Sequence, residues 1–361
     1  MGDRREAGGL MPSRLRVPDV LLWGTTLAIG AAGGFALDLL HVPLAWLLGS
    51  LGAVAAVGLA GRRLDVPPGG RQLGQLLLGS AIGLTITPQV AESVAGYAPV
   101  MIVAALLSIL YGVVAAYSLR RTARVDDATA FFSSVPGGVA EMSILAERHG
   151  GQTAPVSLAQ SLRILCVVIT IPPVITMLGL TGVDMFEPSR LGFDLMGFAA
   201  LFTLAVAGGG LLAWRRIPNA WMLGPMAVAV LVTVTESGLS SMPNALLNLS
   251  QVLIGATLGL RYQRDRLLAL RRFLGPAILS TIVLVGLNVA TGAAIGELVG
   301  LPIPTMALAV SPGGMAEMSI TAKILHLGVP LVAAFHVVRI FIVIGLSEFV
   351  FRRVFQRPAR P

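Results

Sequence analysis

The sequence predicts an all-helical polytopic membrane protein built from two inverted-topology repeats. Three observations lead there. The chain has 361 residues, of which 55% are hydrophobic and only 12% charged, where a soluble domain carries about 25% charged residues. Apolar runs such as Ala98–Leu119 and Leu274–Ile295 exceed the roughly 20 residues a helix needs to cross a bilayer. The chain also repeats itself. Pro136-Gly137-Gly138, Ala140-Glu141-Met142-Ser143-Ile144 and Ala146 recur 176 residues later as Pro312-Gly313-Gly314, Ala316-Glu317-Met318-Ser319-Ile320 and Ala322.

Taken in order, residues 1–19 are polar and Arg-rich and lack a cleavable-signal pattern, so they read as a cytoplasmic tail. The first repeat, 20–180, holds apolar segments at 20–40, 42–59, 72–87, 97–119, 128–148 and 153–180. Residues 181–192 form a polar linker. The second repeat, 193–351, has segments at 193–214, 217–234, 246–260, 274–298, 303–325 and 329–351, and 352–361 is a second cytoplasmic tail. The segments at 72–87 and 246–260 are short for a span and are expected to be tilted or sunk in the bundle. The repeat extends beyond the motif: Pro43, Ala45, Trp46, Leu48 and Gly49 match Pro218, Ala220, Trp221, Leu223 and Gly224. Gln75, Gly79 and Gly83 likewise match Gln251, Gly255 and Gly259, and Arg163 matches Arg339.

Lysine and arginine placement orients the halves. If each Pro-Gly-Gly segment turns back without crossing, each half crosses five times and the halves face opposite ways. With the N-terminus inside, Arg62, Arg63, Arg71, Arg120, Arg121, Arg124, Arg148, Arg215, Arg216, Arg261 and Arg272 all fall inside, and only Arg190 and Lys323 fall outside. If every segment crosses, Arg215, Arg216, Arg261, Arg264, Arg266, Arg271 and Arg272 lie outside instead. The expectation is therefore ten spans plus two re-entrant or broken segments, an arrangement common among secondary transporters.

The repeated motif puts irregular backbone and a carboxylate at membrane depth, where both need a functional explanation. Pro and Gly-Gly interrupt a helix, and the helix that restarts after them presents free N–H groups and a positive dipole end. Glu141 and Glu317 lie in that first turn. Each caps its own helix or, balanced between dipole and burial, binds and releases a proton or cation. Ser143 and Ser319 offer hydroxyl ligands nearby. Arg163 shares a helix face with Gln160, and Arg339 with His336. An unpaired arginine at depth costs about 2.5 kcal/mol or more, so the two glutamates are its expected partners. The pairs either lock each half, or the arginines bind an anionic solute group. His336 either packs or titrates near neutral pH. The Gln-x3-Gly-x3-Gly stretches favour close helix packing, with Gln75 and Gln251 free to face a site.

The net charge of +8 reads as topology; no DNA-reading module is present. The single cysteine, Cys166, excludes an intramolecular disulfide. His41, His149, His326 and His336 lack the spacing of a metal site.

With its doubled Pro-Gly-Gly-x-Ala-Glu-Met-Ser stretch, its Pro-x-Ala-Trp stretch and its Gln-x3-Gly-x3-Gly stretch, the sequence resembles the AbrB-duplication family over about residues 20–350. The resemblance implies a bacterial inner-membrane protein. Members carry labels such as ammonia monooxygenase or regulator of gene expression. Oxidation of ammonia needs a redox metal, for which imidazole is the usual ligand, and no such ligand cluster is visible. Any effect on transcription would be indirect. The expectation is a proton- or cation-coupled secondary transporter of a small solute, neither an enzyme nor a nucleic-acid binder. Its partners would be the bilayer and the solute, it needs no cofactor or metal, and a homo-oligomer is allowed.

Overall fold

The computed structural model describes residues 17–180, 192–235 and 239–356. Most of the linker at 181–192, including Arg190, and most of the two tails lie outside the described residues. The described residues form helices and loops only. Six helices are long and apolar enough to cross a membrane by length and composition. They are α1 (Val17–Leu39), α5 (Ala98–Ala123), α8 (Thr153–Met177), α9 (Leu195–Trp214), α13 (Arg271–Val299) and α16 (Val329–Val354).

Between them lie shorter helices in two matching series. In the first half these are α2 (Ala45–Leu59), α3 (Gly70–Gly83), α4 (Pro88–Ala95), α6 (Asp127–Ser134) and α7 (Val139–Arg148). Their counterparts are α10 (Ala220–Val234), α11 (Asn244–Gly259), α12 (Arg264–Ala269), α14 (Ile303–Val310) and α15 (Met315–Ile324). The order long, short, short, short, long, short, short, long occurs twice, and the sequence repeat is therefore a repeat of structure.

Sequence reasoning missed α4 and α12. α3 and α4 meet at 93°, with α4 started by the Thr87 side chain accepting from the Val90 N–H and by Pro88 in the first turn. Thr-Pro was a readable start signal, overlooked because the helix has only eight residues. α3, at 14 residues, is about 21 Å long at 1.5 Å per residue, shorter than the roughly 30 Å of hydrocarbon. It is sunk in the bundle, as expected: Gly74 through Gly83 are buried.

The glycine stripes join the halves. A Cβ on Gly79 would stand 2.3 Å from the Met222 carbonyl oxygen, and one on Gly83 2.4 Å from that of Met226. So α3 lies on α10 of the other half. On the reciprocal contact, a Cβ on Gly255 would be 2.6 Å from the Leu47 carbonyl oxygen and one on Gly259 2.8 Å from that of Leu51, placing α11 on α2. Trp46 and Trp221 are packing residues, covering Gly34 and Gly209 in their own halves. α5 runs antiparallel to its counterpart α13: Tyr111 Oη and Thr291 Oγ1 are 2.7 Å apart, while further along α5 Thr122 shares a groove with Pro276.

Candidate functional site

Each Pro-Gly-Gly breaks a helix, as expected. Residues 135–138 separate α6 from α7, and 311–314 separate α14 from α15. In the first half the broken segment is a hairpin. The Gln152 N–H, just after α7, donates to Thr129 Oγ1 at 2.7 Å, and that hydroxyl donates to Asp126 Oδ2 at 2.6 Å. Asp126 caps α6 through the Thr129 N–H. The start of α6 and the end of α7 therefore lie side by side, with the break at the far tip.

The two tips meet. Arg163, on α8 and 3% exposed, donates from Nη2 to the Gly137 carbonyl at 3.1 Å and from Nε to the Pro312 carbonyl at 2.7 Å. Its Nη1 donates to Gln160 Oε1 at 2.6 Å. Gln160 in turn donates from Nε2 to the carbonyls of Phe132, at 2.7 Å, and Val135, at 2.8 Å. Arg339, on α16, donates to the carbonyls of Ser311 and Gly313. The expected glutamate partners are thus a correction. Neither arginine pairs with Glu141 or Glu317, and each instead satisfies carbonyls that the broken helix has released. Sequence pairing rules weigh charge against charge and do not count these carbonyls.

Glu141 and Glu317 fold back over the glycine that starts their own helix. A Cβ at Gly138 would lie 2.0 Å from Glu141 Oε2, and one at Gly314 1.9 Å from Glu317 Oε2. Both glycines have ordinary φ, −70° and −77°. They leave room for a carboxylate rather than permit a turn. Neither helix start has a side-chain cap. The serines differ: Ser143 donates to the Val139 carbonyl at 2.7 Å, whereas the Ser319 hydroxyl is buried without a partner.

The halves are not equivalent in detail. Glu317 is 5% exposed and His336 fully buried, while Glu141 is only partly buried. His336 occupies the position of Gln160, but neither of its ring nitrogens makes a hydrogen bond of normal geometry, although the Leu308 carbonyl faces it.

A cavity of about 60 Å³ lies between the tips. Gly137, Gly138, Gly313, Gly314, Arg163, Arg339, Glu317 and Gln75 line it, together with Arg71 and Asn219, which sequence reasoning passed over. Asn219 starts α10 in the left-handed conformation, φ 52°, which asparagine tolerates. A wider vestibule of about 640 Å³ shares Arg71, Gln75, Gly138, Val139 and Asn219 with the cavity and adds Glu141, Arg148, Arg216 and Trp221. A second vestibule, of about 650 Å³, is built with the parts of the halves exchanged: Pro43 and Trp46 of the first half line it with Asn248, Gln251 and Ile320 of the second. It has no lining residue in common with the cavity. The Gln251 Oε1 there is buried without a partner. Among the described residues no group of three or more His, Cys, Asp or Glu side chains is placed to hold a metal.

These features define an all-helical membrane-type protein in which two broken segments meet at a buried basic cavity. The chain belongs to the AbrB family: residues 46–355 match the family described as transition state regulatory protein AbrB. It is 29% identical over 349 residues to a Bacillus subtilis (strain 168) protein named "Uncharacterized protein YhjN", covering 89% of this chain and 90% of the relative. It is 25% identical over 324 residues to an Escherichia coli (strain K12) protein named "Putative regulator AbrB", covering 89% and 93% respectively.

Proposed function

We propose that this protein is a secondary transporter of the bacterial inner membrane, driven by a proton or cation gradient, that carries a small solute by alternating access. One observation carries the reading. Two matching vestibules, each lined by both halves with their parts exchanged, flank a central cavity built from both breaks, and the cavity adjoins only one of them. A pair of equivalent half-paths with one open at a time is what alternating access requires.

The reading takes the halves as inverted, with ten crossings and two re-entrant hairpins. The Gln152–Thr129 hydrogen bond supports re-entry of the first hairpin. The antiparallel course of α5 and its counterpart α13 supports inversion. Both agree with the arginine count. The open vestibule, with Arg71, Arg148 and Arg216, is then cytoplasmic. Glu141 sits in it and Glu317 at the cavity, so the two carboxylates are the groups assigned to carry the coupling ion. A regulatory effect of the kind the Escherichia coli relative's name suggests would follow indirectly, from altered solute levels.

The test is reconstitution into proteoliposomes with an imposed proton gradient and a panel of labelled small solutes. Gradient-driven accumulation of one of them is expected, with its loss in Glu141→Gln and Glu317→Gln variants that keep the parent's melting temperature. Undiminished accumulation in both variants removes the carboxylates from the mechanism, and no accumulation of any solute removes the transport reading.

A further inference from the structure

The central cavity is cationic and its cations are only partly engaged. A guanidinium has five N–H donors. Arg163 commits three of them and Arg339 two. Arg339 is 6% exposed and its Nε is buried with no partner. Among the described residues no carboxylate lies within ion-pair distance of either side chain. Buried arginines left without a counter-charge are costly, and carbonyl dipoles offset only part of that cost. Both helix starts at the cavity, those of α7 and α15, add uncapped N–H groups and the positive ends of their dipoles.

We propose that the cavity binds the carboxylate of a small organic monoanion, with Arg339 and Arg163 as the recognising cations. The planar guanidinium fork matches a carboxylate. The Glu317 carboxylate in the same lining disfavours a dianion. A water needs about 10–15 Å³ of such space, so about 60 Å³ admits a head group and little else. The rest of the solute extends into the adjoining vestibule, past Trp221, Ile144 and Ile217. Those side chains form the apolar part of a vestibule that also holds Arg71, Glu141, Arg148 and Arg216, so the class is a monocarboxylate whose hydrocarbon or aromatic tail packs on that part. This deepens the transport reading by naming its substrate class, though the binding claim stands without movement.

The experiment measures melting temperature and calorimetric affinity of the purified full chain. The probes are straight-chain monocarboxylates from acetate to octanoate and phenylacetate, each beside its neutral amide, with inorganic phosphate and sulfate as further arms. At least one acid stabilises the protein and its amide does not. Arg339→Gln weakens that binding by about 30-fold or more, the lower end for removing one partner of a buried charge pair. Arg339→Lys, which keeps the charge but not the fork, falls between. Arg353→Gln, which removes an exposed charge, leaves affinity unchanged. If Arg339→Gln does not fold, the Lys variant alone decides, by weakened or undiminished affinity. Equal stabilisation by acids and amides, a preference for phosphate or sulfate, no response to any probe, or undiminished affinity in the Arg339 variants overturns the proposal. Acid binding without flux in proteoliposomes would sink transport but keep this site, and gradient-driven flux of a neutral solute without acid binding would do the reverse.

Discussion

Arg163 Nε lies 2.7 Å from the carbonyl oxygen of Pro312, a residue 149 positions away in the other repeat. Since the same guanidinium also holds Gly137, one side chain ties both breaks together. Arg339 does not reciprocate, because its partners Ser311 and Gly313 belong to its own half. Arg163→Gln should therefore destabilise the protein more than Arg339→Gln. Hydrogen bonds to charged groups contribute about 1.5–3 kcal/mol each in water-soluble proteins, and interhelical ones in membranes average nearer 0.6. Three bonds at about 0.6–1.5 kcal/mol each, from the membrane average to the low end of the soluble range, point to about 2–4 kcal/mol in total. Thermal or denaturant unfolding of the two variants in one detergent checks the order, and equal losses would contradict it.

Gly138→Ala and Gly314→Ala should act on the carboxylates and spare the fold. The added Cβ meets only the end of a flexible Glu side chain, which can swing away at little cost. Each variant should lower coupled flux about as far as the matching Glu→Gln change, while shifting stability by less than about 1 kcal/mol. The informative measurement is the double variant. Gly314→Ala should cost nothing further once Glu317 is already Gln, because two changes acting through one group are not additive. A further drop would show that the glycine serves the backbone.

The cross-half stripes predict a different pattern. Gly79→Leu and Gly255→Leu drive side chains into the backbone of Met222 and Leu47, and overpacking of this kind costs about 1–3 kcal/mol. Gly52, on the exposed side of α2 with no atom within 4 Å of its missing Cβ, should accept Ala with no loss and a gain of up to about 1 kcal/mol in helix propensity. Melting temperatures of the three variants check this, and a stable Gly79→Leu would show that α3 and α10 do not approach so closely.

Much of this was legible in the chain. The duplicated motif located both breaks, and the Gln-x3-Gly-x3-Gly spacing identified the packing face of α3 and α11, because a near-identical repeat and a small-residue stripe are local features. The partners of Arg163 were not legible. They are main-chain carbonyls exposed only once the helix is broken, and one of them belongs to the other half. Arg71 and Asn219 were missed for a related reason. Each sits in a loop or first turn that reads as topology or as a cap, and only the packing of α3 on α10 brings them to the cavity. Which half is buried and which is open also has no signal in two nearly identical motifs.

Side-specific labelling tests the orientation. In a Cys166→Ser background, Arg121→Cys, Arg216→Cys and Arg272→Cys should all react with a membrane-impermeant thiol reagent from the cytoplasmic side alone. Arg121 lies in the last turn of the first half's long α5, whereas Arg216 follows α9 and Arg272 lies in the first turn of α13, both in the second half. A common side therefore requires the halves to be inverted, since parallel repeats put Arg216 and Arg272 opposite Arg121. Periplasmic labelling of Arg216→Cys would reject the inverted arrangement.

Re-entry of the first hairpin has a sharper test. A Cβ on Gly151 would lie 3.0 Å from the Ala128 Cβ, slightly inside the roughly 3.5–4.5 Å span of a disulfide. A shift of a few tenths of an ångström would seat the bond. The pair Ala128→Cys and Gly151→Cys, in the Cys166→Ser background, should therefore form an intramolecular disulfide on mild oxidation. Its formation would be seen as a mobility shift reversed by reductant. α6 and α7, with eight and ten residues, are about 12 and 15 Å long at 1.5 Å per residue. Laid end to end they come close to the roughly 30 Å of a crossing. Were the segment to cross, the two cysteines would sit at opposite faces and no bond could form. Side by side, the same lengths bring the Pro-Gly-Gly tip only halfway into the membrane, the depth at which the second break can meet it through Arg163.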